Sequence, residues 1–158
     1  MTNIRKIKQK DNLKIAAIIK EALESANLAI PGTAYYDPQL DSLHQYYEET
    51  PGSAYWIVEM EKEIIGGIGI APFDLDEGIC ELQKLYVSPK AKGLGLSKKL
   101  MDTALTFAKQ HYQYCYLETH NTLTIADRLY QSYGFELLHE PLKGSEHSAM
   151  DRWYIKPL

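Results

Sequence analysis

Residues 92–98 read Lys92-Gly93-Leu94-Gly95-Leu96-Ser97-Lys98. Two glycines stand one residue apart between lysines, after Pro89 and ahead of an amphipathic stretch. Small residues at a helix start leave successive backbone N–H groups free to point at one anion, and the helix's positive end favours that charge. Lys92 and Lys98 add two cations. A phosphate-bearing ligand suits such a turn, although a two-glycine turn serves equally well as plain structure. Two phosphate loops do not fit. A P-loop separates its glycines by four residues and follows the second with Lys and Ser or Thr. The dinucleotide finger needs a third glycine, and here Leu96, Ser97 and Lys98 follow Gly95.

The elements around this turn are legible from periodicity. Ile4–Lys8 reads as a short edge strand, and Asp11 as the cap of a helix carrying Leu13, Ala16, Ala17, Ile19, Ala22 and Leu23. Residues 31–52 are bounded by proline and glycine, with a short helix expected over Leu40–Glu49; segments this long often line binding sites. SAYWIVEM and EIIGGIGIAP form an antiparallel pair, followed by a third strand, ICELQKLYV. Its alternation changes phase between Cys80/Leu82 and Leu85/Val87, which calls for a β-bulge near Gln83 and Lys84. A long helix follows the glycines, its stripe running through Leu96, Leu100, Met101, Ala104, Phe107 and Ala108. Then come a strand (YCYLETH), a helix (TIADRLYQSY) ended by Gly134, a strand (FELLHE) and a last strand in the tail. The reading is a single mixed α/β domain over residues 1–158, without repeat or linker.

Composition narrows the function. The 158 residues are 45% hydrophobic and 24% charged, ordinary for a folded chain, and the net charge of −4 comes without a dense basic run. A nucleic-acid partner is not expected. Cys80 and Cys115 belong to no metal-ligand spacing or disulfide framework, so no metal is expected and both read as core thiols of a reducing cytoplasm. No stretch reaches the ~18 apolar residues of a membrane span, and the N-terminus lacks an apolar signal core.

The run LYVSPKAKGLGLSKKLMDTALTFA resembles the acyl-CoA-binding motif of the GNAT superfamily of N-acetyltransferases. That motif reads Arg/Gln-x-x-Gly-x-Gly/Ala and opens a helix after a bulged strand. Here Lys92 replaces Arg or Gln and Ser97 replaces the last small residue. Downstream, ADRLYQSYGFE is similar to the family's Ala-x-x-Leu-Tyr-x-x-x-Gly-Phe segment. The resemblance covers roughly residues 55 to 137. It implies a mixed sheet with a bulged fourth strand and flanking helices, acetyl-CoA as co-substrate, and acyl transfer to a primary amine, small-molecule or peptide, by direct attack in a ternary complex. The alternative is an acyl-CoA sensor without turnover.

Roles follow from the resemblance and from the chemistry. Transfer needs a neutral amine, donors for the developing oxyanion, and a proton for the leaving thiolate. Lys92, Gly93, Leu94, Gly95, Leu96, Ser97 and Lys98 would hold the cofactor's phosphates, and backbone N–H groups at Leu85, Tyr86 and Val87 its thioester and amides. Tyr130 falls where the family has a tyrosine near the CoA sulfur. Seven residues before it, where the family often has Asn, stands Leu123. The base is Glu118, which resembles the glutamate of some peptide-modifying members, or Glu81 on the preceding strand. His120 and His147 read as ordinary hydrogen-bonding residues. For the acceptor, Tyr35, Tyr36, Tyr46 and Tyr47 with Asp37, Asp41, Glu48 and Glu49 form either an acidic aromatic vestibule or a solvated helix. The tail strand leaves room for a homodimer.

Overall fold

The computed structural model describes residues 1–158, and one seven-stranded sheet organises them. In chain order come β1 (Thr2–Lys6), α1 (Asn12–Ser25), α2 (Leu43–Glu49), β2 (Ala54–Met60), β3 (Glu63–Asp74) and β4 (Ile79–Val87). Then follow α3 (Leu96–His111), β5 (Tyr114–Thr119), α4 (Thr124–Ser132), β6 (Glu136–Leu138) and β7 (Arg152–Pro157). The sheet order is β1-β2-β3-β4-β5-β7-β6, with β4 and β5 the parallel pair. No helix is long and apolar enough to cross a membrane.

Alternation along β2 builds two cores. Tyr55 and Ile57 face α1 and α2, joining Ile15, Ile19, Leu23 and Leu43. Trp56 and Val58 face the other way, against Leu100, Met101 and Ala104 of α3. The buried face of α1 is Ile15, Ala16, Ile18, Ile19 and Leu23. Leu13, expected on that stripe, is 76% exposed because it lies about half a turn around the helix from Ile15. The first strand begins two residues earlier than its isoleucines suggest. It ends at Lys6 because Lys8 already turns, its N–H donating to Asp11 Oδ2 at 2.8 Å. Asp11 therefore caps backward, and it also accepts from the Arg5 guanidinium at 2.7 Å.

The bulge lies where the phase change placed it. Gly67 faces Tyr86 and Gly69 faces Gln83, so Ile68 alone opposes Lys84 and Leu85. Lys84 absorbs the extra residue in a left-handed conformation, φ 51°. Leu82 and Leu85 thereby reach one core together, while Gln83 and Lys84 turn to the opposite face. β7 is paired along its length by β5 and, over Trp153–Ile155, by β6 on its other side.

Candidate active site

β4 and β5 pair only over Ile79–Glu81 and Tyr114–Tyr116, and then separate. Ser88 N–H donates to Ile65 O at 2.7 Å, on the β3 side. Strand N–H groups alternate sides, so those of Leu85 and Val87 face the gap. A cleft of about 670 Å³ opens from this gap on the α3–α4 side. Leu85 and Val87 form one wall, the 92–98 turn forms the floor, and α4 forms the other wall through Ile125, Arg128, Leu129 and Tyr130.

The floor gathers positive charge and unspent donors. Gly93 and Gly95 hold φ of 81° and 70°, and a Cβ at either would meet nothing within 4 Å, so no side chain or backbone crowds the turn. The first intrahelical bond runs from Lys99 N to Gly95 O, leaving the N–H groups of Leu96, Ser97 and Lys98 unspent. Lys92, Lys98 and Arg128 all line the cleft. A pyrophosphate-bearing carrier fits this donor set. Among the residues expected here, Leu94 points to solvent, 51% exposed, and the Tyr86 side chain lies on the opposite face. Arg128 was missed by sequence reasoning, yet it is two residues before Tyr130, on the helix face that Ile125 and Leu129 bring to the cleft.

Tyr130 is buried between Phe135 and Tyr154, with ring centroids 6.0 Å from each. Its hydroxyl makes no hydrogen bond within the chain, and burial raises its pKa well above that of an ordinary phenol. It remains a protonated donor at neutral pH.

On the opposite face, the bulge residues and β5 enclose a second, smaller cavity of about 50 Å³. Glu81 and Glu118 both line it. Gln83 Nε2 donates to Glu81 Oε1 at 2.7 Å, and Tyr47 donates to Gln83 Oε1 at 2.6 Å. Burial raises the Glu81 pKa, and the neighbouring Glu118 raises it further. Glu118 Oε2 accepts from Tyr116 at 2.7 Å and from Ser145, while Oε1 is buried without a partner. Lys84 and His147 line the same cavity and belong to a triad. Lys84 Nζ donates to Asp37 Oδ2 at 2.8 Å, and His147 Nε2 to Asp37 Oδ1 at 2.9 Å. Burial alone would raise the Asp37 carboxyl, but the His147 hydrogen bond and the Lys84 charge outweigh it and hold the pKa at about 2. The bond to Asp37 lifts the His147 pKa above its ordinary value despite burial.

The tyrosine-rich vestibule does not assemble as a unit. Tyr47 is buried and reaches the cavity through Gln83, with Tyr46 edge-on to it at 5.0 Å. Tyr35 bonds Glu24, Tyr36 is exposed, Asp41 pairs with Lys20, and Glu48 pairs with His44. Only Asp37 of the acidic set faces the site. His147, taken as ordinary, belongs to it. His120 instead bonds Thr122 on the surface. Cys80 and Cys115 are buried neighbours in the sheet, and no group of three or more His, Cys, Asp or Glu is placed to hold a metal.

Residues 19–135 match the acetyltransferase (GNAT) family. The chain is 42% identical over 147 residues to the uncharacterized N-acetyltransferase YjgM of Escherichia coli K12, covering 91% of this chain and 87% of that one. It is 30% identical over 122 residues to the N-acetylaspartate synthetase of Xenopus tropicalis, across 74% of this chain but 45% of that longer protein. In fold it is similar to the GNAT-family acetyltransferase of Staphylococcus aureus Mu50, with a TM-score of 0.89 at 21% identity over 100% of this chain and 99% of that one.

Proposed function

The chain belongs to the acetyltransferase (GNAT) family and is an N-acetyltransferase, and on that premise we propose that it moves an acetyl group from acetyl-CoA to a primary amine by direct attack across the gap between β4 and β5. One observation carries the reading. The basic cleft and the carboxylate-lined cavity lie on opposite faces of the sheet, and the strands part between them. Acetyl-CoA, when bound, supplies an acetyl thioester. Lys92, Lys98, Arg128 and the free N–H groups of α3 hold the phosphates, and the N–H groups of Leu85 and Val87 hydrogen-bond the carrier's amides and the carbonyl oxygen.

The residues divide the proton work. Glu81, whose raised pKa makes it a stronger base than an ordinary carboxylate, takes the proton that the acceptor's ammonium must lose. The freed nitrogen lone pair forms the N–C bond to the acetyl carbon, the C–S bond breaks with its electron pair leaving on sulfur, and the second proton that the nitrogen sheds as it becomes an amide passes to that thiolate. Tyr130 donates its hydrogen bond to that sulfur from the opposite side of the gap. Glu118 holds the ammonium before deprotonation.

The test couples calorimetric titration with acetyl-CoA to free-thiol release over a panel of primary amines. Binding with amine-dependent thiol release is expected. Binding without release from any amine would replace the transferase reading with that of an acyl-CoA sensor, and no binding would reduce the glycine turn to a structural one.

A further inference from the structure

The small cavity is lined by charge of both signs, and groups of each sign keep unspent hydrogen-bonding capacity. Lys84 and His147 share a single carboxylate, Asp37. The Lys84 side chain is 3% exposed, and only one of its three donors is spent on that carboxylate. A buried cation is expensive unless each donor finds an acceptor. Glu81 and Glu118 accept hydrogen bonds only from neutral donors, namely the Gln83 amide and the Tyr116 and Ser145 hydroxyls. Glu118 Oε1 is buried with no partner at all. A chain that left a carboxylate oxygen and an ammonium under-satisfied in one cavity, with neutral donors between, would lose stability at each.

Resting on the acetyltransferase reading, we propose that the acceptor is a free amino acid zwitterion, its ammonium held by Glu118 Oε1 and Glu81 and its carboxylate by Lys84 and His147. One ligand then satisfies both sets of groups at once, and the attacking nitrogen lies against the carboxylates, beside the base. The walls of the cavity argue for a small acceptor over a polypeptide. Ala34 and Met150 are among them, from two loops joined to each other. Ala149 N–H donates to Gly32 O at 3.1 Å, and His147 meets Asp37 across the same seam. The cavity is small, about 50 Å³ against about 670 Å³ for the basic cleft, which favours a compact acceptor. The left-handed Lys84 belongs to the same device, since the bulge that strains it is what turns both Gln83 and Lys84 into this cavity.

The experiment compares the twenty amino acids with their α-carboxamides, their decarboxylated amines, a polyamine and a short peptide. Thiol release is measured for each, alongside calorimetric binding of each acceptor to the CoA-saturated protein. The expected result is turnover of one or more amino acids at a kcat/KM at least tenfold above the matching amide and amine, with direct binding showing the same order. Lys84→Met should raise the amino-acid KM at least tenfold and erase the preference over the amide, while the Kd for acetyl-CoA stays unchanged. If Lys84→Met fails to fold, His147→Gln replaces it and should reduce the same preference. Amides, simple amines, the polyamine or the peptide used as well as any amino acid would overturn the proposal while leaving the transferase reading intact. So would acetyl-CoA binding with no amino acid accepted. Failure to bind acetyl-CoA would overturn both.

Discussion

Tyr130 shows how one side chain is specified twice. Its place one turn along the helix after Ala126 marks it in the sequence, and its burial against Phe135 and Tyr154 holds the ring while its hydroxyl stays uncommitted. A phenol in that state gives up a proton reluctantly but donates a hydrogen bond readily, and a bond to an anion is worth roughly 1.5–3 kcal/mol. Tyr130→Phe is therefore expected to lower kcat roughly 10- to 100-fold with acetyl-CoA affinity nearly unchanged. Steady-state thiol release and calorimetry on the same preparation check both halves, and an unchanged kcat would remove Tyr130 from the proton path.

At the scale of elements, the site depends on two backbone irregularities, the bulge of β4 and the glycine turn before α3. The glycines are open to substitution sterically but not conformationally. A Cβ at Gly95 meets nothing within 4 Å, yet φ is 70°. An L side chain there costs roughly 1–2 kcal/mol, which a domain of this size tolerates. Gly95→Trp should leave a cooperative unfolding transition and abolish acetyl-CoA binding, because the indole would stand over the N–H groups of α3. Normal affinity in a folded Gly95→Trp protein would show that this turn holds no phosphate. The bulge was legible because apolar residues change phase along ICELQKLYV, and only an inserted residue keeps Leu82 and Leu85 in one core. The separation of β4 from β5 left no such mark, since strand pairing is a relation between distant segments.

For the whole molecule, the Asp37 triad ties together the loop before α2, the bulge of β4 and the loop before β7. Its contribution has opposite limits in pH. Asp37 is held at about 2 against an ordinary 3.8, so its contribution is complete above about pH 4 and is lost as pH falls toward 2. A carboxyl held that far down contributes at most about 2 kcal/mol, and less where water screens the pair. His147 is raised, so its contribution is complete below about pH 6.5 and is lost as pH rises through its elevated value. Stability from this cluster should therefore be greatest between about pH 4 and 6.5. Urea unfolding at acid, mildly acid and alkaline pH checks it, and His147→Gln should flatten the alkaline decline. An alkaline decline equally steep in that variant would place its source elsewhere.

The sheet-and-helix order, the bulge, the glycine turn ahead of α3 and the place of Tyr130 on its helix could all be read before any fold was known. Each is written in neighbouring residues, through periodicity, glycine chemistry and a motif at short spacing. The acceptor side could not be read that way and emerged with the folded chain. Glu81 and Glu118 stand out in the sequence as candidate bases, but Asp37, Lys84 and His147 come from segments up to 110 residues apart, and no local pattern distinguishes them from solvated charges. Their meaning arises from burial, because a charge removed from water must find its partner within the chain or in what the chain binds.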